Sequence, residues 1–205
     1  MSAPRRALLL APLLAASAAR AAARPQVGDV TEVRGTALAH FEAEPPRRLA
    51  PASPVLLEDM LATDPDSRLA CRLAGGLELR LGGNATLRVD QLALSGPHRR
   101  ASLSSLSGPL LCSHGPVPRP VPVTLDLPWA RIGVRGTRFF AGPLDEVFAV
   151  FVAEGVVEVA VPGGGRAELD AGDGVDVPRS GPPPAQLVVR RWMPPRIARA
   201  LATVM

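Results

Sequence analysis

The 205-residue chain contains no lysine and no tyrosine; all 23 of its basic residues are arginine. Schiff-base chemistry and a phosphate-loop lysine are therefore excluded, since both need that amine. Five phenylalanines and two tryptophans leave few flat rings on which nucleic-acid bases or sugars could stack. Histidine is scarce too. His40, His98 and His114 are scattered, with none of the short spacings that place two metal ligands side by side. A hydrophobic fraction of 47% against 20% charged residues excludes a disordered polyelectrolyte and leaves enough apolar material for a real core.

No run approaches the length of a membrane-spanning helix. The longest, residues 7–19, follows Arg5-Arg6 and precedes the small-residue sites Ala19-Arg20-Ala21 and Ala21-Ala22-Ala23. That three-part layout predicts a cleavable signal peptide over 1–23 and a periplasmic mature chain with no transmembrane span. The twin-arginine pair leaves the export route open. The formal charge of +4 falls with the leader, because Arg5, Arg6 and Arg20 lie in it. Twenty arginines then face 19 acidic residues, so no basic field remains to attract nucleic acid. In an oxidising compartment Cys71 and Cys112 are a possible disulfide, worth about 4 kcal/mol for the loop it would close. The alternative is one buried thiol and one exposed thiol.

Over residues 27–178 the dominant period is two. Leu69, Cys71 and Leu73 alternate with polar or small residues, as do Leu77, Leu79 and Leu81, then Leu87 and Val89. Gly75-Gly76, Gly82-Gly83-Asn84 and Gly163-Gly164-Gly165 punctuate the runs. This predicts an all-β domain of short strands, solenoid-like or a two-layer sandwich. The run 147–152 is apolar on both faces and reads as a fully buried strand, ended by a turn at Glu154-Gly155. Residues 96–122 carry prolines at 116, 118, 120 and 122 and read as an extended, exposed crossing segment. Residues 179–205 form a tail with a short strand at 187–189, a stop at Met193-Pro194-Pro195, and a short C-terminal helix from about Arg196. Ile197, Leu201 and Val204 share one face of that helix, with Arg196 and Arg199 away from it.

One tetrapeptide occurs twice. Val33-Arg34-Gly35-Thr36 returns as Val134-Arg135-Gly136-Thr137, each copy beside a strand-like run. A glycine inside such a pattern marks a bulge or a close backbone approach. The repetition suggests similar turns of sheet rather than a catalytic loop. Arg34 and Arg135 are expected to pair with acidic neighbours such as Asp29 or Glu154; the sharper alternative is that Arg135 holds a partner's carboxylate.

With these residues the sequence resembles the FecR-domain family. The resemblance begins at Val27-Gly-Asp-Val-Thr-Glu-Val-Arg-Gly-Thr36 and continues through 61–69 and 76–87. It is strongest at Ala130-Arg-Ile-Gly-Val-Arg-Gly-Thr-Arg-Phe139, whose motif residues are Ile132, Gly133, Val134, Arg135, Gly136 and Thr137. It resumes over 152–159 and 169–174. The resemblance implies a β-rich periplasmic module without catalytic residues. In the name-giving members that module senses an outer-membrane transporter and relays to a sigma factor through a membrane helix. Neither a cytoplasmic segment nor a spanning helix is expected here, so the recognition module stands without the relay.

Other chemistries are poorly provided for. Cys112 and His114 with Cys71 make at most an irregular zinc set. Asp64 with Asp66, and Asp145 with Glu146, are carboxylate doublets of the kind found in solvated turns. Gly163-Gly164-Gly165-Arg166 has no helix after it to cradle a phosphate and reads as a hairpin tip. No cofactor or metal is expected. The function expected is non-enzymatic recognition of another envelope protein, as a signalling accessory. Binding of a wall polymer and a carboxylate-dependent hydrolase are the alternatives.

Overall fold

Residues that alternate in the sequence alternate in burial. Leu69, Cys71, Leu73, Leu77, Leu79 and Leu81 are all inside, while Arg72 and Arg80 between them face outward. A computed structural model describes residues 24–97, 99–115, 117–178, 182 and 184–205, the Arg135 side chain excepted. The expected signal peptide and His98 lie outside the described residues. Strands hold 57% of the described residues and a single short helix follows them, which makes the fold all-β.

In chain order the strands are β1 (Gln26–Arg34), β2 (Ala37–His40), β3 (Arg47–Arg48), β4 (Pro54–Leu56), β5 (Met60–Thr63), β6 (Arg68–Leu73), β7 (Leu77–Leu81) and β8 (Thr86–Ala93). They continue as β9 (Arg100–Ser107), β10 (Leu110–His114), β11 (Val123–Leu127), β12 (Ala130–Leu144), β13 (Val147–Ala160), β14 (Arg166–Asp170), β15 (Asp173–Val177) and β16 (Val189–Arg191). The helix is α1 (Pro194–Ala202).

All strands belong to one hydrogen-bonded sheet folded over on itself. One layer runs β3-β2-β5-β8-β9-β11 and then takes the first half of β12, the second half of β13, and β14. The other runs β4-β1-β6-β7-β10 and takes the second half of β12, the first half of β13, β15 and β16. The architecture is thus the two-layer member of the expected pair rather than the solenoid. The layers enclose one core of Leu61, Leu79, Leu87, Leu125, Ile132, Phe139, Val150 and Val159 with their neighbours.

A second, smaller cluster lies outside. The helix α1 packs Ile197, Ala200, Leu201 and Val204 onto Leu111, Phe140, Ala149 and Phe151 of the second layer's outer face. Trp192 stacks on Phe151 at 5.0 Å. Arg196 lies over the Trp192 ring and holds Asp176 with both guanidinium nitrogens, at 2.7 and 3.2 Å. Arg196 therefore joins the docked face rather than pointing away. Pro194 and Pro195 start this helix instead of stopping the strand before it, because the first helical positions need no N–H. Among the described residues no helix is long and apolar enough to cross a membrane.

Two expectations about the middle of the chain need correction. The segment 96–122 is not one exposed crossing: β9 and β10 lie inside it, both interior to their layers. Ala101 and Leu103 face the core, and the serines between them face out, where Ser104 donates to Asp90 at 2.6 Å. Serine on alternate positions concealed the strand. Glu154-Gly155 is likewise no turn. It is a bend within β13, which continues to Ala160.

At the outer edge of both layers, Asp59 is fully buried and shared by two arginines. Arg24 donates to Oδ1 at 2.7 Å, Arg47 donates to Oδ2, and the Leu56 backbone N–H adds a third bond at 2.9 Å. Arg24 also covers the Phe41 ring, 3.7 Å from its centroid. The carboxylate thereby ties the β2–β3 and β4–β5 turns to the start of β1. Removing its charge leaves two cations facing each other in a poorly hydrated place. Asp59→Asn is expected to lower the unfolding free energy by about 3 kcal/mol, read as a fall in the urea midpoint at unchanged m-value.

Candidate functional site

Both copies of the repeated tetrapeptide sit where the chain passes from one layer to the other. At the first, β1 ends in the second layer and β2 begins in the first. Gly35 has φ +75° and packs so tightly on Ser67 that a Cβ would overlap its hydroxyl. That hydroxyl accepts from Thr36 N–H at 2.8 Å. At the second copy β12 itself crosses: residues 130–134 pair with β11 in one layer, and Arg138 onward pairs with β10 in the other. The register breaks between Arg135 and Arg138. Gly136 has φ +63°, a Cβ there would lie 3.2 Å from Pro120, and Thr137 presses on Gly155 of β13. Ile132 and Val134 face the core. Arg34 pairs with Glu32 at 2.7 Å, not with Asp29, and the Arg135 side chain is outside the described atoms.

Beside the second corner a groove of about 370 Å³ opens on the outer face of the second layer. Its floor is a cross-strand row: Glu78 of β7 opposite Ser113 of β10, Ser113 opposite Arg138 of β12, and Arg138 opposite Glu154 of β13. Arg80, Leu111, His114, Gly136, Thr137 and the C-terminal Met205 complete the lining. Glu78 is held by Arg72 at 3.0 Å and Arg80 reaches Glu32 only at 3.5 Å. Arg138 is half-buried and has no ion pair among the described residues. Thr137 is 3% exposed and its hydroxyl has no partner among the described residues. His114 contacts the Val121 carbonyl through Nε2 at 3.0 Å, while its buried Nδ1 has none.

A wider groove, of about 810 Å³, lies on the outer face of the first layer between His40, Phe41, Met60, Arg88 and Asp90. Glu42 and Glu58 line it from two turns, both in the left-handed region, with φ 44° and 65°. Such backbone is uncommon outside glycine and persists where the surroundings hold it. At Glu58 the backbone N–H donates to the Val89 carbonyl at 2.8 Å.

A family model described as "FecR protein" matches residues 59–158. Residues 59–158 are a FecR domain. The match contains the second copy of the repeat and its groove except for Met205, and leaves the first copy outside. Two crystal structures of a candidate anti-sigma factor from Parabacteroides distasonis ATCC 8503 are similar to the chain, with TM-scores of 0.55 and 0.53 at 17% identity. Each likeness covers 69% of this chain but only 63% and 64% of the other, so this chain spans less than two thirds of those relatives' length. At that identity the likeness is one of fold. No curated protein matches the sequence.

Within the FecR domain the remaining candidate residues do not come together. Cys71 and Cys112 are both buried and unbonded, which overturns the disulfide expectation. They lie on β6 and β10, each opposite Leu79 of the strand between them. Two strand spacings hold their backbones about 9–10 Å apart, beyond the roughly 7 Å that a disulfide spans. The thiols face the core while His114 turns to Val121, so they share no zinc set; among the described residues no three metal-binding side chains converge. Asp64 and Asp66 are exposed in the β5–β6 turn, where the Asp64 carbonyl accepts from Ser67 and Asn84. Asp145, at the tip of the β12–β13 hairpin, pairs with Arg199 of the helix at 3.0 Å. Arg138 and the unpartnered Thr137 hydroxyl escaped sequence reading. Only their place inside the motif pointed toward them.

The motif's two glycines have different duties, and this is testable. Gly133 has ordinary backbone and nothing nearer than 4.0 Å to an added Cβ, unlike Gly136. Gly133→Ala should change stability by less than about 0.5 kcal/mol, and Gly136→Ala should cost about 1–2 kcal/mol, measured by urea denaturation.

The thiols give a second test. Burial pushes Cys71 from its ordinary 9.0 up to about 12, and pushes Cys112 higher still, with Cys71 adding to the shift. Above about pH 9 the unfolded chain releases these protons while the native chain keeps them, so stability falls as pH rises. The slope reaches about 1.4 kcal/mol per pH unit for each thiol. With no lysine or tyrosine in the chain, no other side chain titrates in that window. The double variant Cys71→Ala, Cys112→Ala should flatten the dependence of the urea midpoint between about pH 9 and 11.

Proposed function

We infer that this protein is a non-enzymatic recognition module of the bacterial envelope, exported to the periplasm, that binds another envelope protein as a signalling accessory. The FecR domain supports the signalling part, as does the likeness in fold to a candidate anti-sigma factor. The N-terminal layout of residues 1–23 supports export.

The observation that carries the binding part is the free edge at β16. Among the described residues this strand pairs only with β15; it presents Val189 at 39% exposure, with Val188 just before it at 61% and Met193 beyond it at 68%. An open edge strand invites further pairing, which proteins ordinarily limit with charge or cover. Among the described residues nothing pairs with the outer side of β16, and Arg190 and Arg191, its other two residues, put charge beside the valines. A partner strand added at this edge would gain backbone hydrogen bonds, and Val188 and Val189 would supply selectivity.

The test is crosslinking in cells followed by capture of the exported protein, with the wild-type chain beside Val188→Lys. Recovery of one envelope protein by the wild type, lost with the lysine variant, is the expected outcome. Recovery of wall polymer alone, or of the same partner by both chains, would overturn the reading. Deleting 96–122 would not serve, because β9 and β10 would go with it.

A further inference from the structure

We propose that the groove beside the second corner is a carboxylate-binding site for a polypeptide, with Arg138 as its anchor. This rests on the recognition reading and names the chemistry of one contact that the partner makes.

The argument begins with charge. A guanidinium withdrawn from water needs acceptors, and the other half-buried arginines have them: Arg24 and Arg47 share Asp59, Arg196 grips Asp176, Arg68 donates to the Ser67 carbonyl, and Arg99 donates to the Leu94 and Arg119 carbonyls. Arg138 is half-buried and lacks such a partner among the described residues. Glu154 is its cross-strand neighbour, yet the two make no ion pair within 4 Å, and Glu154 is exposed. Glu78, two strands away, is already engaged by Arg72. Arg80 lines the same groove, and its only ion pair is a long one to Glu32. Two arginines with unfilled capacity thus line one concavity, and arginine's planar fork matches a carboxylate in two parallel bonds.

The uncharged groups narrow the ligand. The Thr137 hydroxyl, on a residue 3% exposed, has no partner and can donate to a carboxylate oxygen. The Val121 carbonyl can only accept, so Nε2 of His114 carries the proton and Nδ1 is left with an unused lone pair. A buried acceptor without a donor is costly. A bare anion would not relieve it, whereas a backbone N–H close to a carboxylate would. Carboxylate beside N–H is the chemistry of an acidic residue in a peptide, or of a chain terminus.

Three probes separate these sources: an N-acetylated, C-amidated Gly-Gly-Asp-Gly peptide, an N-acetylated Gly-Gly-Gly-Gly peptide with a free terminal carboxylate, and the amidated asparagine counterpart of the first. Each is titrated into the full chain while the arginine side-chain N–H resonances are followed by NMR. The expected result is saturable movement of the Arg138 signal with one or both carboxylate peptides and none with the neutral one; the peptide that acts identifies the source. Arg138→Gln should weaken binding at least tenfold, and Arg138→Lys, which keeps charge but loses the fork, should fall between. Glu154→Gln should tighten binding several-fold by removing a like charge from the bound carboxylate. Equal response to all three peptides, no response, or tighter binding in none of the variants with loss in Glu154→Gln would overturn the proposal. The last result would mean that Arg138 is simply Glu154's partner. The outcome is independent of the capture experiment. A partner lost with Val188→Lys but kept with Arg138→Gln sinks this site and leaves the recognition reading, whereas peptide binding without an envelope partner does the reverse.

Discussion

The molecule depends on one hairpin that has to belong to both layers. β12 and β13 run 15 and 14 residues, about 50 Å if straight, while most other strands are half that length or less. A straight hairpin would leave one end without a layer to lie in. Bending it over the sandwich requires more than flexibility, because side chains alternate with period two and a smooth bend would carry the wrong set into the core. The bulges solve this by resetting the count. Inward residues are even-numbered before the corner of β12 (Ile132, Val134) and odd-numbered after it (Phe139, Ala141). In β13 the switch runs from Phe148, Val150 and Val152 to Val157 and Val159. Gly136 and Gly155 supply the backbone that the two resets need, and they meet through Thr137.

That arrangement explains which parts of the fold were legible. Strands with clean alternation, such as β6 and β7, announced themselves, and 147–152 was readable as buried on both faces because Phe151 and Ala149 lie under the helix while Phe148 and Val150 enter the core. The bend at Glu154-Gly155 was misread as a turn, since a glycine that reverses the chain and one that resets its parity have the same local signature. β9 was concealed by Ser102 and Ser104, whose small polar side chains suit the outer face of a sheet as well as they suit a loop. The layer assignment was beyond reach: period two says that a strand has an inside, not which strand lies opposite.

The cysteines show the same boundary from the other side. Cys71 and Cys112 stand at correctly read inward positions. Whether two inward residues can join depends on how many strands separate them, and the intervening strand β7 belongs to both pairings. A thiol packed among leucines behaves as a small hydrophobe with its proton held fast.

The second corner also leaves polar groups unspent, and the reason is mechanical. Elsewhere the sheet consumes its own polar groups: backbone bonds go to neighbouring strands, and outward arginines go to carboxylates across the ladder, as Arg72 to Glu78 or Arg131 to Asp126. A parity reset interrupts that pairing for a residue or two. Thr137 is buried with no partner for its hydroxyl among the described residues, and Arg138 emerges opposite Glu154 at a second register break. The first corner shows what happens when the interruption is closed locally, since Ser67 accepts the Thr36 N–H there. At the second corner the facing residue is Pro120, which has no N–H and no polar side chain to offer. The same tetrapeptide therefore produces a sealed bend in one place and leaves unspent hydrogen-bonding capacity in the other. That difference comes from the residue packed against each glycine.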